Sequence, residues 1–325
     1  MTDRRAFLSG LALLVASRIA GAQPAGKVWR IGLLSTAASA DEFPEKQTLE
    51  ALRDLGLVDG RNVVIEYRYA AGDSVRLAQY AAELVRLDVD VILTFSAGVG
   101  VAKKATQTIP IVFGTSQDPV RTGFVVSLGR PGGNLTGATY LTDELSAKRL
   151  ALLREALPGI SRAAVLWEPS HIDNEFRGLQ AAAPGLGVRL ESVEIPRPAR
   201  TDEVERAIRA ARDGRAEALI VAPGGFTIAH RKRIIALATD HRLPVVSAWR
   251  IFAEDGALLS YGPDLREVAR RLAASADKVL KGARPAELPV EQPTKFELVV
   301  NLRAAKSLGV AIASSVLLRA DEAIR

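Results

Sequence analysis

Two stretches of this chain, Val89 to Phe95 (VDVILTF) and Ile109 to Gly114 (IPIVFG), are apolar almost without interruption. A strand apolar on both faces must be covered on both faces, and the arrangement that does so is a parallel sheet between layers of helix. The neighbouring pattern agrees. Trp29–Ser35 and Asn62–Tyr69 read as strands, while Pro44–Leu55 and Val75–Arg86 read as helices, the latter with apolar spacing Leu77, Ala81, Leu84, Val85. This alternation defines an α/β, doubly wound unit.

A second series follows the Pro131-Gly132-Gly133-Asn134 turn. Its helices are expected at Glu144–Leu157, Glu175–Ala182, Asp202–Arg212 and Ile228–Thr239, with strands at Ala163–Trp167, Arg189–Ile195, Ala218–Ala222 and Pro244–Ser247. The tail breaks the simple alternation: Ala257–Tyr261 reads as a strand, Leu265–Leu280 as a long helix, Phe296–Val300 as a strand and Leu302–Ser307 as a helix. If that long helix packs on the first unit and the last strand on the second, the chain crosses between lobes three times, near Tyr140, Tyr261 and Val290. The lobes expected are 23–139 plus 261–288, and 140–260 plus 289–325.

The first residues carry a different signal. Arg4 and Arg5 precede an apolar run from Leu11 to Ala16, and Ala20-Gly21-Ala22 has the small residues of a cleavage site, so Met1–Ala22 reads as an export signal and Gln23 as the mature start. The run is too short to span a membrane. Arg4-Arg5 followed by Phe7-Leu8 resembles the twin-arginine pattern, with an ordinary two-arginine Sec signal as the alternative. The chain has no cysteine, hence no disulfide and no lipid-bearing thiol, and a periplasmic location without a membrane anchor is expected. About 300 residues remain, enough for two domains. The formal charge of +6 is spread along the chain rather than gathered in a stripe, which argues against nucleic acid as a partner.

Ligands of open α/β sheets bind at the carboxyl ends of the strands. Thr94-Phe95-Ser96-Ala97-Gly98-Val99-Gly100 joins such a strand end to a helix. A G-x-S-x-G nucleophile elbow fails at Thr94 and a G-x-G-x-x-G dinucleotide loop fails at Lys103. Two readings remain: Ser96 with the backbone N–H groups near Ala97 and Gly98 holds an anionic group such as a carboxylate, or Ser96 is simply a helix cap. The next strand end offers Ser116 and Asp118, and Asp118 either pairs with a ligand ammonium or starts a turn ahead of Pro119. Further candidates for the cleft are Ser35, Thr36, Trp167, Pro223, Ser247 and Tyr261, each at a strand end. His171, His230 and His241 lack metal-ligand spacing, and no Ser, His and Asp arrangement stands out, so neither a metal nor a cofactor is expected.

The ordered motifs resemble those of a known family. Trp29-Arg30-Ile31-Gly32, the segment Val58-Asp59-Gly60-Arg61-Asn62 running on to Arg68, Arg130-Pro131-Gly132-Gly133-Asn134, Ser260-Tyr261-Gly262-Pro263-Asp264, Pro289-Val290-Glu291-Gln292-Pro293 and Leu318-Arg319-Ala320-Asp321-Glu322 are similar to segments of ABC-transporter substrate-binding proteins of the tryptophan/tyrosine-transport type. The resemblance implies a type I periplasmic-binding-protein fold, two doubly wound parallel-sheet lobes joined by three crossing segments. It also implies a monomeric receptor, not an enzyme, that closes on an amino acid or related carboxylate and presents it to an ABC permease in the inner membrane. Where members often show Gly-Thr-Pro this chain has Ser96-Ala97-Gly98, and Pro223-Gly224-Gly225 fills a loop that is often acidic. A periplasmic sensor serving a chemoreceptor or kinase is the alternative, followed by a periplasmic α/β enzyme.

Overall fold

The computed structural model describes residues 27–41, 44–140, 145–169, 175–196, 202–222 and 224–325. The export segment Met1–Ala22, His171 and Pro223 lie outside the described residues.

The first unit runs β1 (Trp29–Ser35), α1 (Glu45–Asp54), β2 (Val63–Tyr69), α2 (Ser74–Arg86), β3 (Val91–Phe95), α3 (Ala97–Ala105), β4 (Ile111–Thr115) and β5 (Leu135–Thr139). Its five strands are all parallel, in the order β2-β1-β3-β4-β5. The two continuous apolar runs become β3 and β4, buried along their whole length. Alternate residues serve opposite faces: Ile31, Leu33, Val91 and Leu93 join Leu52 of α1 in one core cluster. Leu34 and Ile92 join Leu77, Leu84 and Val99 of α2 and α3 in another.

Strand β5 is absent from the sequence expectation. Leu-Thr-Gly-Ala-Thr has little apolar character, yet all five residues are buried. Its burial is supplied from far along the chain: Glu291 N donates to the Gly137 carbonyl at 2.8 Å and Thr139 N donates to the Glu291 carbonyl at 2.9 Å. Gly137 has a φ of 153°, and a Cβ there would run into the backbone of Phe113.

The second unit runs α4 (Ser146–Ala156), β6 (Arg162–Trp167), α5 (Glu175–Leu186), β7 (Arg189–Glu194), α6 (Asp202–Asp213), β8 (Leu219–Val221), α7 (Gly225–Ala229), α8 (Arg231–Asp240), β9 (Val245–Ser247), α9 (Arg250–Glu254) and β10 (Leu259–Pro263). The single helix expected over Ile228–Thr239 is two, divided at His230. After α10 (Leu265–Leu280) come β11 (Phe296–Asn301), α11 (Leu302–Leu308), α12 (Ser314–Leu317) and β12 (Glu322–Ile324). The second sheet has seven strands in the order β12-β11-β10-β9-β8-β6-β7, parallel except where β10 meets β11.

Helix α10 packs on α1 and on β3, β4 and β5 of the first sheet. The chain therefore passes between the sheets three times. Strand pairing places two of these passages a few residues downstream of the positions expected from sequence. Tyr261 to Pro263 still pair with Leu298 to Phe296 in the second sheet, so the chain leaves after Pro263. Val290 and Glu291 belong with the first sheet, since Val290 N donates to the Leu128 carbonyl at 2.8 Å and Glu291 bridges Ala138. The third passage is Gln292 to Lys295.

Replacing Gly137 by Ala sets a side chain against the β4 backbone at a φ that favours glycine, so it should destabilise the protein by at least about 2 kcal/mol. Urea unfolding of the variant checks this, and an unchanged midpoint contradicts the close approach.

Candidate functional site

In the first sheet the order reverses between β1 and β3, which makes their carboxyl ends the topological switch point. In the second sheet the corresponding reversal falls between β6 and β8. Tyr140, directly after β5, meets Trp249, two residues after β9, edge to face with ring centroids 6.2 Å apart. This contact sets the carboxyl ends of the two sheets against each other.

At the β1 end the Ser35 hydroxyl donates to the Glu45 carboxylate and accepts from Ala37 N at 2.9 Å. Glu45 is 2% exposed, although it begins α1. Thr36 is half-buried, and its carbonyl accepts from Gly72 N at 2.9 Å.

At the β3 end Ser96 is held at φ 46° and ψ −114°, a conformation that costs a non-glycine residue about 1 to 3 kcal/mol. It caps α3 by position, but its side chain makes no capping hydrogen bond, so its hydroxyl is not spent on the helix. Ala97 begins α3, and Gly98 behind it leaves room for the Thr94 hydroxyl, which a Cβ at 98 would strike. The first-turn N–H groups of a helix carry partial positive charge and suit an anion.

At the β4 end Ser116 and Gln117 are buried, and Gln117 N donates to Thr115 Oγ1 at 3.1 Å. Asp118 departs from the charge-partner expectation. It is exposed, and its Oδ1 accepts from Val120 N at 2.9 Å and Arg121 N at 3.1 Å. Of the two readings of this aspartate, turn capping is the one its contacts display, because the backbone donors ahead of it satisfy the carboxylate in water.

The second sheet contributes Glu168, 3% exposed at the end of β6, whose Oε1 accepts from Phe226 N at 3.0 Å. Trp167 beside it is engaged elsewhere: its indole stacks on Phe176 at 4.7 Å and donates to Ser192 Oγ at 2.8 Å. Ser247 is fully buried with its hydroxyl donating to the Val221 carbonyl at 2.8 Å. Tyr261 is half-buried, its ring 6.4 Å from Phe296, and its carbonyl accepts from Arg149 Nη1 at 3.3 Å. Arg149 is wholly buried and forms an ion pair with Glu175, itself 2% exposed.

Structure thus brings together Ser35, Thr36, Ser96, Ala97, Gly98 and Ser116 along one sheet edge. It adds Glu45, Glu168, Arg149 and Trp249, which the sequence reading does not single out as site residues. Two of these have a legible signal, since Glu45 and Arg149, like Glu175, the partner of Arg149, occupy the buried stripe of their helix. Among the described residues, no cluster of three or more His, Cys, Asp or Glu is placed to hold a metal.

Two doubly wound sheets joined by three crossings, with their carboxyl edges opposed, define the type I periplasmic-binding-protein fold. A conserved domain protein from Vibrio cholerae superposes with a TM-score of 0.82 at 25% identity, over 91% of this chain and all of that one. An ABC domain from Streptococcus pneumonia in complex with L-Trp superposes with a TM-score of 0.80 at 22% identity, over 91% of this chain and 99% of that one. A tyrosine-binding protein of Clostridioides difficile is 26% identical over 268 residues, 81% of this chain and 76% of that one. Residues 43–324 match the family of ABC transporter substrate binding proteins, and the chain belongs to that family.

The strain at Ser96 is testable. Ser96→Gly should raise folding stability by about 0.5 to 1 kcal/mol by relieving the backbone, offset in part by unfolded-state entropy. A loss of stability would mean that the serine side chain is itself structural.

Proposed function

We propose that the protein is the periplasmic receptor of an ABC importer, that it captures an amino acid or related carboxylate between two lobes, and that closure presents the loaded form to an inner-membrane permease. Among the described residues the lobes correspond to 27–139 with 264–291 and to 140–263 with 292–325, a few residues shifted from the boundaries expected from sequence. The observation that carries the ligand class is the unspent Ser96 hydroxyl at the N-terminus of α3, at the switch point of the first sheet. In this reading the ligand carboxylate lies against Ser96 Oγ and the N–H groups of Ala97 and Gly98. Its ammonium faces Glu45 and Glu168, the buried carboxylates brought to the strand ends of the two sheets. Ser35 orients Glu45, Thr36 and Ser116 border the carboxylate end, and Tyr261 borders the other wall. The tyrosine-binding relative and the L-Trp-bound structural neighbour make aromatic amino acids the first ligands to test. A ligand that touches both lobes stabilises the closed population by its differential contacts, with no covalent step.

A thermal-shift screen of amino acids and small carboxylates tests this. Ligand at a hundredfold excess over Kd adds ~2.7 kcal/mol, so the correct one should raise the melting temperature by about 5 °C. Calorimetry should then show Glu45→Gln or Glu168→Gln weakening binding by roughly 2 to 5 kcal/mol, the cost of breaking a desolvated charge pair. Asp118→Ala should bind normally. Full affinity in both glutamate variants, or no shift with any compound, rejects the ligand class.

Export is the other part of the proposal, supported by Arg4, Arg5 and Ala20-Gly21-Ala22. Changing both arginines to lysine should leave precursor in the cytoplasm if the twin-arginine route is used. Full-length wild-type protein confined to the cytoplasm would refute the periplasmic assignment.

A further inference from the structure

The third crossing has two anchored ends and a short free stretch. Glu291 is fixed to β5 through its own N–H and carbonyl, whatever its side chain does. Phe296 is fixed opposite Pro263 at the start of β11. Between them lie Gln292, Thr294 and Lys295, exposed, and Pro293, buried. A segment this short and this exposed is where a change in the angle between the two sheets must be absorbed.

The side chain of Arg271 reaches into that stretch from α10. Its Nη1 donates to Glu291 Oε2 at 2.8 Å, and its Nη2 donates to Thr294 Oγ1 at 3.3 Å and to Glu267 of its own helix. Pairing with Glu267 and then Glu291 holds the guanidinium proton more firmly than usual, against a partial burial that works the other way. Helix α10 begins immediately after the second crossing, where Asp264 Oδ1 accepts from Arg266 N at 2.9 Å. One guanidinium therefore links the helix that ends the second crossing to the middle of the third. Beyond the free stretch the partners change: Glu297 pairs with Arg250 of α9 at 3.0 Å, and Arg250 also holds Glu322 of β12 at 2.7 Å, all within the second unit.

We propose that Arg271 is a positioning residue for lobe closure, a brace between the second and third crossings whose contact with Thr294 sets how freely the two lobes change their angle. This rests on the reading of the two lobes as a closing receptor. The bidentate geometry is essential to the brace: a guanidinium holds Glu291 and Thr294 through separate nitrogens, whereas a lysine ammonium is a compact point charge. Because none of the brace residues lies at the switch points, its loss alters ligand affinity only through the population of the closed form.

The chain has no cysteine, so spin labels attach only where cysteines are introduced. Exposed Ala82 on α2 and Ala210 on α6 report one sheet each. In the ligand-free Ala82→Cys, Ala210→Cys protein, electron-electron resonance distances should broaden when Thr294→Val is added, with the melting temperature unchanged. Arg271→Lys should broaden them likewise, and Thr294→Ser should restore the parent profile. For whichever amino acid the screen identifies, Thr294→Val should bind about fivefold more weakly, as expected for the loss of one exposed hydrogen bond of ordinary net strength. A Thr294→Val distance profile identical to the parent overturns the brace. A screen that finds no amino-acid ligand refutes the proposed function but leaves the distance measurement to decide the brace.

Discussion

Parallel pairing of β1 with β3 is the constraint on which the site depends. Parallel neighbours require a crossover, and crossovers in opposite directions from β1 leave a gap between the first turns of α1 and α3. Into that gap the chain delivers a helix N-terminus from α3 and a buried carboxylate from α1. The second sheet repeats the arrangement with Glu168 at the β6 end. A polar site at each sheet edge thus follows from topology before any particular side chain is considered.

The charged residues inside the protein carry a second layer of information. Burying a guanidinium costs several kcal/mol, which a carboxylate partner and further hydrogen bonds must offset. Arg149 meets that requirement with Glu175 and the Tyr261 carbonyl, so α4, α5 and β10 are fixed relative to one another by groups that tolerate no sliding. An apolar set of the same volume would hold these elements together as strongly, but with less directional control. Tyr261 lies two residues before the chain leaves the second sheet, so directional control at this point is control of where the crossing begins.

Periodicity made the long elements legible. Trp29–Ser35 and Leu265–Leu280 have the bounds expected from sequence because their apolar patterns are unbroken and their ends carry Ser35 and the Asp264 cap. Strand β5 was illegible because its burial comes from the Val290–Glu291 segment about 150 residues later, which no local window contains. The site divided along a similar line. Ser96 stands out locally as a polar residue between an apolar run and a helix. Glu45 shows only as a charge on the buried stripe Glu45, Thr48, Ala51, Leu52 of α1. Asp118 illustrates the reverse case, a residue with a local structural role: two backbone donors within three residues bond one of its carboxylate oxygens, so its place ahead of Pro119 is explained by the turn.

Site and crossings are also contiguous. Gly262 packs so tightly on the Ala248 carbonyl that no side chain fits between them, and Ala248 is flanked by Ser247 and Trp249 at the end of β9. Trp249 touches Tyr140 at the first crossing, and Pro263 pairs with Phe296 where the third ends. In the proposed closing receptor, a ligand that shifts Trp249 or Tyr261 therefore presses directly on the crossing segments. Packed interiors respond to such pressure by switching between discrete arrangements rather than by deforming smoothly. Under that proposal binding and reorientation are one event, coupled through a few van der Waals contacts instead of a relay across either sheet.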